Sequence, residues 1–538
     1  MADLAERLGR LLGGRIAVTT GPRGADLTFA LHRRDDLPAA AAELTGRAEM
    51  SLATVVATDE LSSPDRDLKM RYVFEPADPV RKRPADRFVT LQVSVDPDRP
   101  EVPSISSLVP AANWHEREAR DLLGIAPVGH PDPRSLVLHD GWPAGLHPLR
   151  KAFDGAQTVA RVPAEEFPHL VVEGEGVFEI PVGPIHAGII EPGHFRFSAV
   201  GDTVLNLDAR LFYTHRGLEK RIEGMSVIDG FHVAERLCGV CSVAHGLGFC
   251  EAVEQIAGVT VAPRAQLVRT IALELERLYN HVGDIGNICA GASYHYGTSA
   301  GARLKEALQR LNERLSGNRF LRGWLIPGGV QRDIADDVIR VIETVLASTE
   351  AQLADLGHQI DSNPSVVDRF EGTGVLPRQA ALHLATTGVT ARASGIDRDA
   401  RRDHPHGAFA AFPGIKLAVA TAETADVNAR RKVRAAEASE SIRLVRVLLA
   451  RLEPGALTVA LPELPTPGKI GLAVTESPRG ASIHWLRLDP RGRVERYHVR
   501  SASYANWPAV PIAALTAIVP DFPLVNKSFE LCYACTDR

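Results

Sequence analysis

Four of the six cysteines in this 538-residue sequence form two C-x-x-C pairs, Cys238-Gly-Val-Cys241 in mid-chain and Cys532-Tyr-Ala-Cys535 just before Arg538. Each pair turns two sulfurs toward one point and so offers a bidentate thiolate bite. If the pairs converge they make a tetrathiolate, a donor set suited to zinc, nickel or iron–sulfur chemistry. The first pair lies in Arg236-Leu-Cys238-Gly-Val-Cys241-Ser-Val-Ala-His245, and the apolar residues after it read as a helix. A helix N-terminus lowers a thiol pKa, because its dipole favours the anion that binds metal. His245 falls on the same helix face as Cys241, either donating to a thiolate or packed as a satisfied core histidine. Cys250 and Cys289 have no partner at ligand spacing and read as small buried hydrophobes. Ligand chemistry alone leaves a structural zinc site open. Zinc ribbons, however, hold their pairs ~15–20 residues apart, whereas about 290 positions separate Cys241 from Cys532. That separation suits a site deep inside a large fold. A redox dithiol has less support, since nothing reads as a thioredoxin-like βαβ unit.

The elements that must position these thiols fall into two blocks. Residues 1–165 read as a small α+β domain: an amphipathic start (Leu4, Leu8, Leu11, Leu12), then strands, the clearest over Phe88 to Asp96. Gly124 to Pro148 is rich in proline and glycine and reads as loop. Residues 166–180 read as a linker leading into new strands, and 181–538 as a mainly helical domain. There Leu267, Ile271, Leu275, Leu278 and Val282 keep one apolar face. Asp333 to Ile360 and Ala425 to Leu452 are similarly long, with Arg and Glu covering the other face, as in a packed bundle. Ile483 to Leu488 and Val494 to Val499 read as short peripheral strands. The expected fold class is therefore α+β.

Composition excludes several classes. Charge and apolar content are ordinary, and a net charge of −5 gives no argument for nucleic-acid binding. No P-loop or G-x-G-x-x-G occurs. The opening MADLAERLGRLLGGRIAV lacks the apolar core of a secretory signal, and no apolar run approaches the ~20 residues of a spanning helix. The expectation is a soluble, cytoplasmic chain that could dock on membrane partners.

Arg-x-Cys-Gly-x-Cys-x-x-x-His with a second C-x-x-C resembles the large subunit of [NiFe] hydrogenases. Gly183-Pro-Ile-His186, Glu191-Pro-Gly-His194-Phe, His215-Arg-Gly-Leu-Glu219-Lys220, Glu276-Arg277, Asn280-His281, Pro327-Gly-Gly329 and Arg392-Ala-Ser-Gly395 extend the resemblance to the complex I-related, energy-converting branch typified by formate hydrogenlyase. Asn113-Trp114, Glu116-Arg-Glu118, Asp121-Leu-Leu-Gly124-Ile, Gly129-His-Pro131 and Pro148-Leu-Arg-Lys151 resemble the 30-kDa-type subunit of complex I. The chain thus looks like a fusion of the two subunit types.

The resemblance implies nickel bound by Cys238, Cys241, Cys532 and Cys535, with Cys241 and Cys535 also bridging to an iron that carries CO and cyanide. It implies heterolytic H2 ⇌ 2H+ + 2e− chemistry, with Cys532 as first proton acceptor and Glu191 as the next carrier. Arg479, after Pro478, resembles the arginine held over the open coordination position. By the same likeness His245 tunes a thiolate, and Glu219 either helps hold Mg2+ or pairs with Arg216. Iron–sulfur clusters are expected only in partners: a small [4Fe–4S] subunit, ferredoxin-like subunits and membrane antiporter-like subunits that keep the chain on the cytoplasmic face of the inner membrane. Two departures stand out. Glu530-Leu531 replaces the family's usual Asp-Pro before Cys532. Many relatives also carry a segment after the second pair that a protease removes, so a chain stopping at Arg538 reads as processed or as made without that tail. The competing readings are a complex I-type quinone oxidoreductase subunit without H2 chemistry and a tetrathiolate zinc structural or assembly protein.

Overall fold

The computed structural model describes residues 2–538 except 25, 64–65, 78–86, 165, 463–467 and 516. The boundary drawn at 165 thus falls on a residue outside the described set.

The first block is a five-stranded sheet, β1 (Ile16–Thr20), β2 (Leu27–Leu31), β3 (Met50–Glu60), β4 (Asp67–Pro76) and β5 (Val89–Val95), in the order β1-β2-β5-β4-β3. Within it only β2 and β5 pair in parallel. Helices α1 (Ala2–Leu11), α2 (Leu37–Gly46) and α3 (Ala112–Leu123) accompany it. Leu4, Leu8 and Leu12 of the amphipathic start are buried, but Leu11 is half exposed. The expected strand over 88–96 forms as β5, with Val89, Leu91, Val93 and Val95 all buried. The opposite face of β3 and β4 is covered too, so Ala53, Val56 and Val73 pack with Leu472, Val474, Ile483 and Trp485 from far along the chain.

A three-stranded sheet follows, β6 (Phe178–Val182), β7 (His194–Val200) and β8 (Thr203–Arg210), and then the helical body. Its long helices are α4 (Ser242–Ala257), α5 (Pro263–Gly291), α6 (His295–Ser316), α7 (Asp336–Asp361) and α8 (Val427–Leu449). Helix α5 is the axis. Its predicted apolar face is buried, and so are Arg269, Glu274, Glu276, Arg277, Asn280, His281 and Asp284 on its other faces. In α8 the structure corrects the sequence reading: Arg430, Arg431, Arg434 and Glu437 point inward instead of covering a solvent face. Their burial is compensated: Arg431 pairs with Asp361 (2.5 Å), Arg434 with Asp284 (3.2 Å), and Glu437 with Arg392 (2.7 Å) and His281 (2.9 Å), while Arg430 donates to Ser528 Oγ and to the Ala425 and Gly374 carbonyls.

Strands β9 (Ile470–Ser477), β10 (Gly480–Leu488) and β11 (Val494–Arg500) form an antiparallel sheet in that order. They differ from the expected peripheral strands. Nearly every residue is buried, because one face meets β3 and β4 and the other meets α4. The strand β9 went unread in the sequence. Last come α9 (Phe522–Phe529) and the single turn α10 (Tyr533–Asp537), which brings the second cysteine pair back to α4. No helix among the described residues is long and apolar enough to cross a membrane.

Candidate metal centre

Cys238 and Cys241 occupy the turn into α4, with Cys241 as its N-cap residue. The Cys241 amide donates to Cys238 Sγ (3.2 Å), so the turn folds both sulfurs to one side. Helix α5 fixes this turn from below. Glu276 accepts from the Val243 and Ala244 amides (2.6 and 3.0 Å), and Asn280 Nδ2 donates to the Val240 carbonyl (2.9 Å). Burial pushes the Glu276 carboxyl up to about 8. The second pair is held as firmly: the Cys532 amide donates to Ser503 Oγ (3.0 Å), and Asp537 accepts from the Phe212 and Thr214 amides (3.0 Å each).

The two pairs converge. Cys535 Sγ lies 3.2 Å from Cys238 Sγ, and Cys532 is hydrogen-bonded to Cys238 and Cys535. Cys238, raised by its hydrogen bond to Cys241 but lowered more by those from Cys532 and Cys535, falls to about 7. Cys241 falls to about 6, chiefly through the bond from Cys238. Cys532 and Cys535 are pushed up, chiefly by donating to Cys238. The mid-chain pair therefore ionises more readily than the later pair. Cys250 and Cys289 are buried elsewhere, and burial raises both thiols, Cys289 to about 12.

His245 joins the cluster, its Nε2 3.0 Å from Cys535 Sγ. The ligand atoms of Cys238, Cys241, His245 and Cys535 all lie within 4.8 Å of one another. Behind His245 the contacts continue inward, Nδ1 to His484 Nε2 (3.4 Å) and His484 Nδ1 to the Tyr497 hydroxyl (2.8 Å). Burial, then His245, holds the His484 imidazole well below its usual range, so it is neutral.

Arg479 sits with buried Pro478 in the two-residue turn between β9 and β10. That turn is packed backbone to backbone on the helix Gly388–Ala393: a Cβ on Gly388 (φ +65°) would stand 2.4 Å from the Arg479 carbonyl oxygen, and one on Gly480 2.6 Å from the Gly388 nitrogen. The guanidinium clasps Asp284 through Nη1 and Nη2 and comes within 3.8 Å of Glu530. Against the cost of burial, Arg479 holds Asp284 well below the usual carboxylate range. Burial and then Asp284 push Glu530 up to about 7, and Asn287 Nδ2 donates to it (2.5 Å). Glu530 caps α9 with left-handed backbone (φ 55°). A proline at 531 would disfavour that conformation, so Leu531 and the glutamate arm work together here.

Glu191 is half-buried in the loop between β6 and β7, and its Oε2 accepts from the Ala534 amide (2.7 Å). Burial, then Cys532, raises its carboxyl. The loop leaves Ile185 82% and Ile189 98% exposed. Glu219 is not paired with Arg216, which donates instead to the Leu237 and Ala534 carbonyls. Glu219 accepts from Arg496 and Arg538 (2.8 Å each) and the Val499 amide (3.1 Å), with His498 Nδ1 at 3.3 Å. A divalent ion among Glu118, Glu219 and His498 would have to share this space with Arg538.

Sequence reasoning missed Asp284, His484 and Tyr497, and read Glu276 only as part of a family motif, with no role at the site. For Asp284 and Glu276 a signal existed: ionisable residues along a helix as long and apolar as α5 must be paired or functional wherever they are buried.

Comparison with known proteins gives three regional family matches: respiratory-chain NADH dehydrogenase 30 Kd subunit over 31–159, nickel-dependent hydrogenase over 216–284, and respiratory-chain NADH dehydrogenase 49 Kd subunit over 297–470. The chain is 36% identical over 455 residues to formate hydrogenlyase subunit 5 of Escherichia coli (strain K12), covering 84% of this chain and 79% of that protein. It is 30% identical over 375 residues to an NADH-quinone oxidoreductase subunit of Phocaeicola vulgatus, covering 66% of this chain and 71% of that one. Among solved structures it resembles a chain of the membrane-bound sulfane sulfur reductase, an archaeal respiratory membrane complex (TM-score 0.63, 25% identity, 68% of this chain and 99% of that one).

Proposed function

The chain belongs to the complex I-related, energy-converting family of [NiFe]-hydrogenase large subunits, with a complex I 30-kDa-type region fused ahead of it, and from this premise we propose that its four-thiol pocket holds a [NiFe] centre. The observation that carries the reading is the convergence of all four cysteines, two of them with thiols lowered to about 7 and about 6. The donor set fits: soft sulfurs, buried except for half-buried Cys532, with one imidazole beside them. Cys238, Cys241, Cys532 and Cys535 would hold the centre through their sulfurs. The bound centre supplies the heterolytic interconversion of H2 with protons and electrons.

The residues around it orient and carry protons. Cys532, the half-buried thiol, takes the first proton, and Glu191 receives it, its carboxyl raised by burial and by Cys532. With Cys535 a thiolate, His245 Nε2–H donates to it. Its Nδ1 must then accept from His484 Nε2–H, and His484 Nδ1 from the Tyr497 hydroxyl. Arg479, fixed by Asp284, presents a permanent positive charge to the pocket. Glu219 is taken as a carboxylate neutralised by arginine, with no need of Mg2+.

Electrons must leave through a partner, since all cysteines besides the four are buried singly. We assign this to a small [4Fe–4S] subunit, with ferredoxin-like and membrane antiporter-like subunits beyond it, on the cytoplasmic face of the membrane. A zinc site is the second reading, favoured by the Cys238, Cys241, His245 and Cys535 set, which could bind zinc without Cys532. Metal analysis with infrared spectroscopy in the CO/cyanide stretching region decides. Nickel near one per chain with those bands is expected; zinc alone, or no metal, refutes the proposal.

A further inference from the structure

Arg538 is 3% exposed and is held by side chains from two distant parts of the chain. Its Nη1 donates to Glu219 and to the Val499 carbonyl (2.8 and 3.0 Å), its Nη2 donates to Glu118, and its guanidinium lies over the Tyr504 ring at 4.8 Å. Glu118 comes from α3, the helix packed on the first sheet, and is 6% exposed. Arg538 Nη2 is thus taken up by the amino-terminal block. Arg538 follows Cys535 by three positions, one turn of helix, so a displacement at one is felt at the other. Its backbone is tied in as well: the Arg538 amide donates to Ala534 (3.1 Å), and its carbonyl accepts from the Arg216 amide (2.8 Å).

We propose that Glu118 is a positioning residue for the Cys532/Cys535 pair, so that the first block of the chain sets the geometry of the thiol pocket through Arg538. Neighbouring Glu116 gives the internal contrast. It lies on the same helix and is also buried, but serves only its own block, accepting from Tyr72 (3.2 Å), Ser104 (2.5 Å), the Ile105 amide (2.9 Å) and Ser106 (2.6 Å). If α3 acted only by stabilising its block, Glu116 would matter to the thiols as much as Glu118 or more. The contact stands on geometry alone; its consequence for metal rests on the function proposed above.

The test compares Glu118→Gln, Glu118→Asp and Glu116→Gln in the full chain. Hydrogen–deuterium exchange is measured on metal-free protein, and nickel retention against a chelator on loaded protein. Glu118→Gln is expected to speed exchange across residues 531–538 on the order of 10- to 100-fold, the ratio matching one lost charge-assisted hydrogen bond, and to hasten nickel loss. Glu118→Asp keeps the charge and recovers part of the protection. Glu116→Gln should loosen residues 104–106 and leave 531–538 unchanged. Wild-type exchange over 531–538 in Glu118→Gln, or an equal rise there in Glu116→Gln, overturns the proposal. Faster exchange in Glu118→Gln from a wild-type chain that takes up no nickel supports the positioning contact and refutes the metal reading instead.

Discussion

Replacing Glu191 with Gln separates proton movement from metal binding. The side-chain carbonyl of Gln can accept from the Ala534 amide as Glu191 Oε2 does at 2.7 Å, so the fold should lose less than about 1 kcal/mol. Gln also resembles the neutral carboxyl that burial and Cys532 favour at this position. The sign follows: a raised carboxyl contributes its stability below the unfolded pKa and loses it as pH rises through the folded one, so Gln should flatten that slope. What Gln cannot do is hand on a proton. Loss of a positioned acid–base group costs about 10²–10⁴ in rate, and H2/D2 exchange should fall by that factor at unchanged nickel content. Both are measured on one preparation, by mass spectrometry of the gas and metal analysis of the protein. Exchange within about threefold of wild type at full nickel occupancy would remove Glu191 from the route.

Arg479→Lys keeps the charge but loses one arm of the clasp on Asp284; we expect about 2–3 kcal/mol less stability in metal-free chain and slower H2/D2 exchange when loaded. An unchanged denaturation midpoint would show that the clasp carries no weight. Glu251, at the wall of a cavity of about 450 Å3, is raised to about 7 by burial, against a bond from the Gly407 amide (2.9 Å), with Glu254 adding to the rise. Its contribution is present below about pH 4.5 and lost as pH rises through about 7, so Glu251→Gln should remove about 3 kcal/mol of stability loss across that window. Parallel pH–stability curves for the two chains would refute this.

Much of the centre was legible because its chemistry is restrictive: only thiols supply such a donor set, and C-x-x-C spacing dictates how two of them turn together. The long helices were legible from their period. Their polar faces misled, because Arg434 and Glu437 look solvated in sequence yet find Asp284 and Arg392 inside. Strand β9 escaped notice although Ser477-Pro-Arg-Gly480 is a two-residue turn with apolar residues on both sides. The partners that matter most to the pocket are invisible for a simpler reason. His484 meets His245 across 239 positions and Glu118 meets Arg538 across 420, and no local pattern encodes such pairs.

Cys238 and Cys535 touch across 297 positions. A metal bound by both pairs would close that stretch into a ring, and by chain entropy such a closure restricts the unfolded chain by roughly 5–6 kcal/mol at 25 °C. That is comparable to the whole stability of a small domain. The pocket would then act also as a removable cross-link, and emptying it would free the unfolded chain to explore far more space while the folded contacts stayed as they are.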